Sequence, residues 1–143
     1  MSTVVDDLYG VVKGTVRLLL SDNRIAQIVG ANVVEHIEPE YKYNSPIILV
    51  HIPAGEDKAR RGMDNTYYLL DPTMVIEFYV PWSLGEETVI ALASRAFELI
   101  SEGFAVGEKK ASFINRNLGT HELVRDDSGT RWKLVQRWGV RVV

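Results

Sequence analysis

The stretch that decides the fold is residues 126–143, Asp-Asp-Ser-Gly-Thr-Arg-Trp-Lys-Leu-Val-Gln-Arg-Trp-Gly-Val-Arg-Val-Val. Its opening, Asp126 to Gly129, is typical of a hairpin turn. From Thr130 to Val143 the residues alternate between a largely apolar set and a largely basic set, which predicts a strand with one side toward a core. The predicted outward side carries the basic residues Arg131, Lys133, Arg137 and Arg141.

Further strands are predicted on both sides of the hairpin. Thr120 to Arg125 is the expected partner strand, and a weaker strand is expected around Ala111 to Asn115. Pro46 to Ile52 is apolar and β-branched, as in a buried strand, and Val33 to Ile37 is shorter. Tyr67 to Leu70 and Thr73 to Val80 form either one long strand interrupted at Pro72 or two short ones. Pro72 then indicates an edge position or a bulge, and Pro81 ends the strand.

Three helices are predicted from apolar residues that recur every three to four positions. Val4 to Leu20 forms the first, and Gly10 and Gly14 within it indicate either close approach of another segment or simple tolerance. Asn23 to Val29 forms the second, with Ser21 or Asp22 as its N-cap and Gly30 after it. The third runs from about Leu84 to Glu102, and Ser83 and Glu86 have the spacing of a capping box.

These elements predict a single α+β domain over residues 1–143. We expect a mainly antiparallel sheet of four to five strands with two to three helices packed on one face. A chain of 143 residues fits one domain by the usual length of roughly 100–200 residues.

Composition excludes several classes of protein. The chain is 46% hydrophobic and 24% charged, as globular domains are. It has no cysteine, which excludes disulfides, thiol catalysis and cysteine zinc sites. Its net charge of −3 argues against a dedicated duplex binder. Residues 1–7 do not resemble a signal peptide, and no apolar run approaches the roughly 20 residues of a membrane span. We therefore expect a protein made in the cytoplasm, with no membrane partner.

Catalytic and metal-binding patterns are missing from the sequence. The histidines His36, His51 and His121 fall on separate predicted strands, whereas a zinc site needs three or four convergent ligands. Nucleophile-elbow, phosphate-loop and zinc-protease motifs do not occur. The acidic pairs are explained by helix starts and a turn. We expect no catalytic residue, no metal and no cofactor.

Two charged features remain as candidate binding surfaces. The first is the long connection from Ala54 to Thr66, which has neither helical nor strand periodicity, and its candidate interface residues are Asp57, Lys58, Arg60, Arg61 and Asp64. The second is the basic side of the last strand, with Arg131, Lys133, Arg137 and Arg141. That side is either the solvated surface of a half-buried sheet or a surface for a polyanion or acidic partner. The tryptophans Trp82, Trp132 and Trp138 are expected in the core and at its margin, and Tyr41 and Tyr43 are candidate exposed anchors.

In this layout the chain resembles the tail terminator proteins of long-tailed bacteriophages, also called tail completion or tail-to-head joining proteins. Four features carry the resemblance. An N-terminal helix leads into Leu20-Ser-Asp-Asn-Arg-Ile-Ala-Gln-Ile-Val-Gly30, and a short strand and a proline-bearing connection lead into Ser45-Pro-Ile-Ile-Leu-Val50. A central strand ends at Pro81 before an amphipathic helix. The chain closes on a turn and a charged strand pair, Asp126-Asp-Ser-Gly-Thr-Arg-Trp132. This sequence has Ile47 where the family often has an aromatic residue, and its Ala54–Thr66 connection is longer than usual.

The resemblance implies a ring-forming structural subunit, usually a hexamer, without catalytic residues or cofactor. Such a ring caps the finished tail tube and joins it to the head connector, so the implied partners are further copies of the chain, the tail tube protein and a head-side connector or stopper protein. The implied location is the tail or neck of a virion. The basic side of the last strand would then line the channel through which DNA passes.

Two alternatives stay open at this point. One is a different joining part of the same assembly, such as a head-completion or stopper protein on the head side. The other belongs to another class: a small enzyme or ligand-binding α+β domain that uses His51 or His121 in a pocket, for which a deep concave pocket with convergent polar groups is expected.

Overall fold

The structure is a computed structural model, and it describes residues 4–37, 44–53, 59–61, 67–69, 72–126 and 129–143. Its helices are α1 (Val4–Leu20), α2 (Asn23–Val29) and α3 (Glu86–Ser101), with a single 3₁₀ turn at Trp82–Leu84. Its strands are β1 (Val33–Val34), β2 (Ile47–His51), β3 (Ala59–Arg61), β4 (Tyr67–Leu69), β5 (Thr73–Pro81), β6 (Phe104–Val106), β7 (Lys109–Asn117), β8 (Glu122–Asp126) and β9 (Gly129–Val142).

Seven of these strands form one sheet, in the order β1-β2-β5-β9-β7-β6, with β8 also paired to β9. All pairs are antiparallel except β1 with β2, which is parallel. The predicted α+β class and largely antiparallel pairing are therefore right. The predicted count of four to five strands is too low. β1 lies within the predicted strand Val33 to Ile37, whereas the three-residue strand β6 is too short to show a period and was not predicted. β3 and β4 form a separate two-stranded sheet.

β9 is the centre of the sheet, as its alternating sequence predicted. One of its edges pairs with β5 along Arg131–Gly139, and the other pairs first with β8 and then with β7. The register Asp126↔Gly129 confirms the predicted hairpin between the last two strands. Because three strands depend on this one, the long alternating run determines most of the architecture.

The hydrophobic core lies between the helices and one face of the sheet. Leu134, Trp138 and Val140 of β9 are 6% exposed or less and belong to this core. The same face of β5 contributes alternate residues, and all three helices contribute buried side chains to the same cluster. The main members are Val11, Leu19, Ile25, Val29, Ile48, Val50, Met74, Ile76, Phe78, Val80, Val89, Leu92, Ala96 and Ile100. The expectation that the helices pack on one face is consistent with this cluster.

α1 packs on β6 through its two glycines. A Cβ atom on Gly10 would lie 2.5 Å from Cγ1 of Val106. A Cβ atom on Gly14 would lie within 3.0 Å of three ring atoms of Phe104, whose ring packs against Phe113 at a centroid distance of 5.3 Å. Of the two interpretations of this pair of glycines, the structure favours close approach over simple tolerance.

α2 is connected to α3 by one carboxylate. Asp22 is the N-cap of α2, and its side chain accepts a hydrogen bond from the backbone N–H of Ile25 at 3.1 Å. The Arg95 guanidinium of α3 donates to the same carboxylate through Nε at 3.1 Å and Nη2 at 2.8 Å. This hydrogen-bonded guanidinium holds the pKa of Asp22 below its ordinary value. Of the two predicted caps, Asp22 is the one used.

Two local predictions are wrong. α3 begins at Glu86 behind Gly85, whose φ of 84° is a glycine conformation, and Ser83 lies in the preceding 3₁₀ turn, so the predicted capping box does not form. Pro72 is neither an edge residue nor a bulge. It directly precedes the central strand β5, and its carbonyl accepts a bond from the N–H of Val140 at 2.9 Å. Pro81 is the last residue of β5, as predicted.

Candidate assembly surfaces

The first candidate surface, the 54–66 connection, is only partly described. Arg60 and Arg61 lie on β3, in register with Tyr68 and Tyr67 of β4, so this connection contains a strand that its sequence did not predict. The structure describes the backbone of these two arginines. Asp57, Lys58 and Asp64 lie outside the described residues, as do Tyr41 and Tyr43. The assignment of this segment to a partner interface stays a prediction.

The four basic residues predicted on the outward side of β9 all lie on the sheet face without helices, but they differ in exposure. Arg137 and Arg141 are exposed. Lys133 is half-buried, and Arg131 is only 8% exposed, with its guanidinium over the Tyr79 ring at 5.3 Å from the ring centroid. The interpretation of this side as a solvated surface therefore does not hold for Arg131, because its guanidinium packs on the Tyr79 ring of β5.

Glu77 of β5 is the polar centre of this helix-free face. One carboxylate oxygen accepts a hydrogen bond from the Tyr79 hydroxyl at 2.7 Å, and the other lies 2.8 Å from Nε2 of His51. The Lys133 ammonium lies 3.7 Å from Oε1 of Glu77, the oxygen that is bonded to Tyr79. Burial alone would raise the pKa of Glu77, but these hydrogen bonds and positive charges outweigh it and hold the pKa below its ordinary value. The arrangement keeps a charged acid within an otherwise apolar strand.

Along β7 and β9, the charged side chains on the helix-free face are all basic. Neither β7 nor β9 contains an acidic residue. The Arg116 guanidinium lies on Gly139, where a Cβ atom would come within 2.5 Å of Nε. Beside it is a groove of about 270 Å³, and Ile114 on its wall is 70% exposed. We call the surface formed by Lys110, Arg116, Arg137 and Arg141 around Ile114 the basic face.

The opposite side of the molecule carries an apolar groove of about 500 Å³ between α3 and the β7–β8 connection. Ile90 and Phe97 line it from the helix, Leu118 from the connection and Leu134 from the sheet. Gly119 brings the connection close to the carbonyl of Val135, at a φ of 75° that favours glycine. We call this site the α3 groove.

Acidic side chains lie at the margin of the α3 groove. Glu98 lines it, and Glu86 pairs with His121 at 2.9 Å across its end. Glu87 is exposed at the start of the same helix. Arg95 is the only basic residue of α3, and both Asp22 and Glu98 are bonded to it at 2.8 Å. The exposed side of α3 is therefore apolar and acidic.

Further large apolar side chains are exposed at the β8 end of the sheet. Trp82 is 59% exposed, Leu84 50% and Leu123 49%. Trp82 directly follows the last residue of β5, and Leu123 pairs with Trp132 across β8 and β9. Trp138 is buried as predicted and Trp132 is half-buried, but the prediction that Trp82 belongs to the core or its margin is wrong. We call Trp82, Leu84 and Leu123 the hairpin patch.

The three histidines do not come together. His51 contacts Glu77, His121 contacts Glu86 and the Trp132 ring, and His36 is exposed. Among the described residues, no three metal-ligating side chains are grouped as a metal site would need. His121 lines the α3 groove, so the groove is the place where a small ligand would meet a histidine. In the described part of the chain, no helix has the length and apolar character of a membrane span.

No protein-family model matches this sequence, and no curated protein sequence matches it significantly. Among solved structures, the fold is similar to that of a chain in the virion of a native gene transfer agent particle. The TM-score is 0.55 at 16% sequence identity, and the match covers 91% of this chain and 97% of the other. At this identity the likeness shows a shared fold.

Proposed function

We propose that this chain is a structural subunit of a phage-like virion, and more specifically that it forms a ring which terminates the tail tube and joins it to the head connector. The observation that carries the proposal is the fold, which is shared over nearly the full length of both chains with a component of a gene transfer agent virion. The proposal assigns no catalytic residue and no cofactor.

The exposed apolar surfaces support an assembly role. The α3 groove and the hairpin patch place Ile90, Leu118, Trp82, Leu84 and Leu123 at 41% to 59% exposure. Large apolar side chains gathered in one exposed groove, as Ile90 and Leu118 are in the α3 groove, are typical of sites that bind other proteins. A subunit that must contact neighbouring copies, the tube and the head-side connector needs several separate surfaces of this kind.

Electron microscopy of the purified protein, alone and mixed with tail tubes of the same virion, tests the proposal. We expect caps at one end of each tube, and rings in the caps when they are viewed along the tube axis. Protein that leaves both tube ends bare would contradict the terminator role. Capture by the head-side connector without any tube binding would instead favour a stopper protein on the head side.

A matched pair of variants tests the surface involved. Trp82→Ser removes an aromatic side chain that is 59% exposed in the hairpin patch, and Tyr9→Ser removes one that is 60% exposed on α1. Both changes leave the described core intact, so their direct costs in stability should be similar. We expect Trp82→Ser to reduce tube capping by about tenfold or more, as for an interface anchor, and Tyr9→Ser to leave it unchanged.

A small-ligand function is the second candidate, because the α3 groove contains His121. It predicts that His121→Ala abolishes ligand binding. Tube capping that survives His121→Ala but is lost in Trp82→Ser would favour the virion role over the ligand-binding role.

A further inference from the structure

We infer that the α3 groove of one copy binds the basic face of a second copy, so that the chain associates head to tail. This inference rests on the proposed function, because it names the two surfaces through which neighbouring subunits of the assembly would meet. The two surfaces lie on opposite sides of the same molecule, one beside a helix and the other on the helix-free face of the sheet.

Charge complementarity is the first argument. On the α3 side, Glu98 and Asp22 are bonded to the single base Arg95 and Glu86 is paired with His121. With Glu87, these four acids outnumber the one arginine, so the charge there is net negative. The strands of the basic face contain no acid at all. Opposite charges on the two surfaces favour contact between unlike faces, whereas two grooves or two basic faces brought together would repel.

Shape and apolar exposure are the second argument. The α3 groove is a concave apolar site of about 500 Å³ with Ile90 at its margin. On the basic face Ile114 is 70% exposed beside the flat contact of Arg116 with Gly139. An exposed isoleucine with Arg116 and Arg141 beside it suits an apolar groove with acidic residues at its margin, since the apolar contact would be buried and the charges would pair next to it.

Ile114 also favours a protein over DNA as the occupant of the basic face. A surface that binds a phosphate backbone gains its affinity from cations, and an exposed isoleucine in the middle adds no phosphate contact. The chain as a whole carries a net charge of −3, which opposes approach to a polyanion. The contact between unlike faces is heterologous, so repeated contacts close a ring or extend a filament, depending on the rotation between copies.

The chain has no cysteine, so single introduced cysteines can report this contact without background. Ser94 is exposed and lines the α3 groove, and Ser112 is exposed on the basic face. With a short bis-maleimide, the double variant Ser94→Cys/Ser112→Cys should give a ladder of cross-linked oligomers. On a denaturing gel, a mixture of the two single variants should give cross-linked dimers and nothing larger, and each single variant alone should give no cross-link. Ser21→Cys/Ser112→Cys, with an exposed serine near the end of α1, is the matched control and should give no ladder.

Each other pattern would overturn the inference. Dimers of Ser94→Cys alone would show a symmetric contact between two grooves, and the absence of any cross-link in the mixture would show that the two surfaces do not meet. As a second measurement, Ile90→Asp and Ile114→Asp should each weaken self-association in sedimentation by at least about tenfold. Retained self-association of Ile114→Asp with lost binding of a random duplex would indicate DNA on the basic face.

The same cross-link separates the failure of this inference from the failure of the proposed function. If the protein caps tail tubes but the caps contain no link between positions 94 and 112, the virion role stands and this contact is wrong. If the ladder forms in solution but no tube is capped, the contact stands and the terminator role is wrong.

Discussion

The contact of α1 with β6 predicts that Gly14→Ala lowers the free energy of unfolding in the wild type but raises it when Phe104 has been removed. Gly14→Ala adds a Cβ atom within 3.0 Å of three ring atoms of Phe104. Replacing a helical glycine by alanine stabilises a helix by about 1 kcal/mol. Inserting a carbon into a packed site costs about 1–3 kcal/mol, because the ring has to leave its contact with Phe113. The net expectation is a loss of about 1 kcal/mol in the free energy of unfolding.

In a Phe104→Ala background the obstacle is gone and the helix propensity remains. There Gly14→Ala should stabilise the protein by about 1 kcal/mol, so the two changes should be coupled by about 2 kcal/mol. Urea denaturation followed by far-UV circular dichroism on the four proteins gives the cycle. Stabilisation by Gly14→Ala in the wild-type background, or equal effects in both backgrounds, would refute the close-packing argument.

Three other changes test the polar contacts. The pKa of Glu77 in the folded protein lies below its ordinary value of 4.5. The ionised carboxylate therefore adds to the free energy of unfolding above pH 4.5, and this contribution is lost as the pH falls through the lower, folded-state pKa. In urea titrations from pH 7 to pH 3, Glu77→Gln should show a smaller loss of stability than the wild type. Asp22→Ala should lower the free energy of unfolding by about 1 kcal/mol, because the helix cap is lost. Asp22→Asn should keep most of the cap and lose only the ion pair to Arg95. A larger decrease in the asparagine variant than in the alanine variant would contradict the capping role. Gln136→Met removes the acceptor of the Trp138 indole N–H and the donor to the Ala93 carbonyl, both in the core. It should lower the free energy of unfolding by about 1–3 kcal/mol in the same assay, while an unchanged value would show that these two bonds add nothing.

Strong periodicity made much of the fold predictable. α1, α2, β2 and β9 were predicted within a few residues, because each carries an apolar repeat long enough to identify its buried side. β3, within a charged connection, carries no such repeat and was missed. The parallel pairing of β1 with β2 could not be predicted from a two-residue strand, since the direction of β1 depends on the position of α2, which precedes it.

The surfaces were less predictable than the fold. The basic residues of β9 followed from simple alternation, but Arg116 and Ile114 join them only through the pairing of β7 with β9. The α3 groove unites Ile90 with Leu118, which are far apart in sequence, so no local pattern indicates it. Glu77 did leave a signal, because one acid in an otherwise apolar strand needs partners when it is buried.

The position of β9 in the chain has a consequence for how the protein folds. β9 follows every other strand of the sheet in sequence, yet β5, β7 and β8 all pair with it. During synthesis these three strands leave the ribosome without their main partner, so the sheet can close only after β9 has emerged. Contacts between segments so distant in sequence are typical of slow-folding domains. Until β9 has paired, the apolar face of β5 is exposed to solvent and can aggregate with other chains. Slow synthesis or chaperone binding before residue 129 should therefore govern the yield of folded protein.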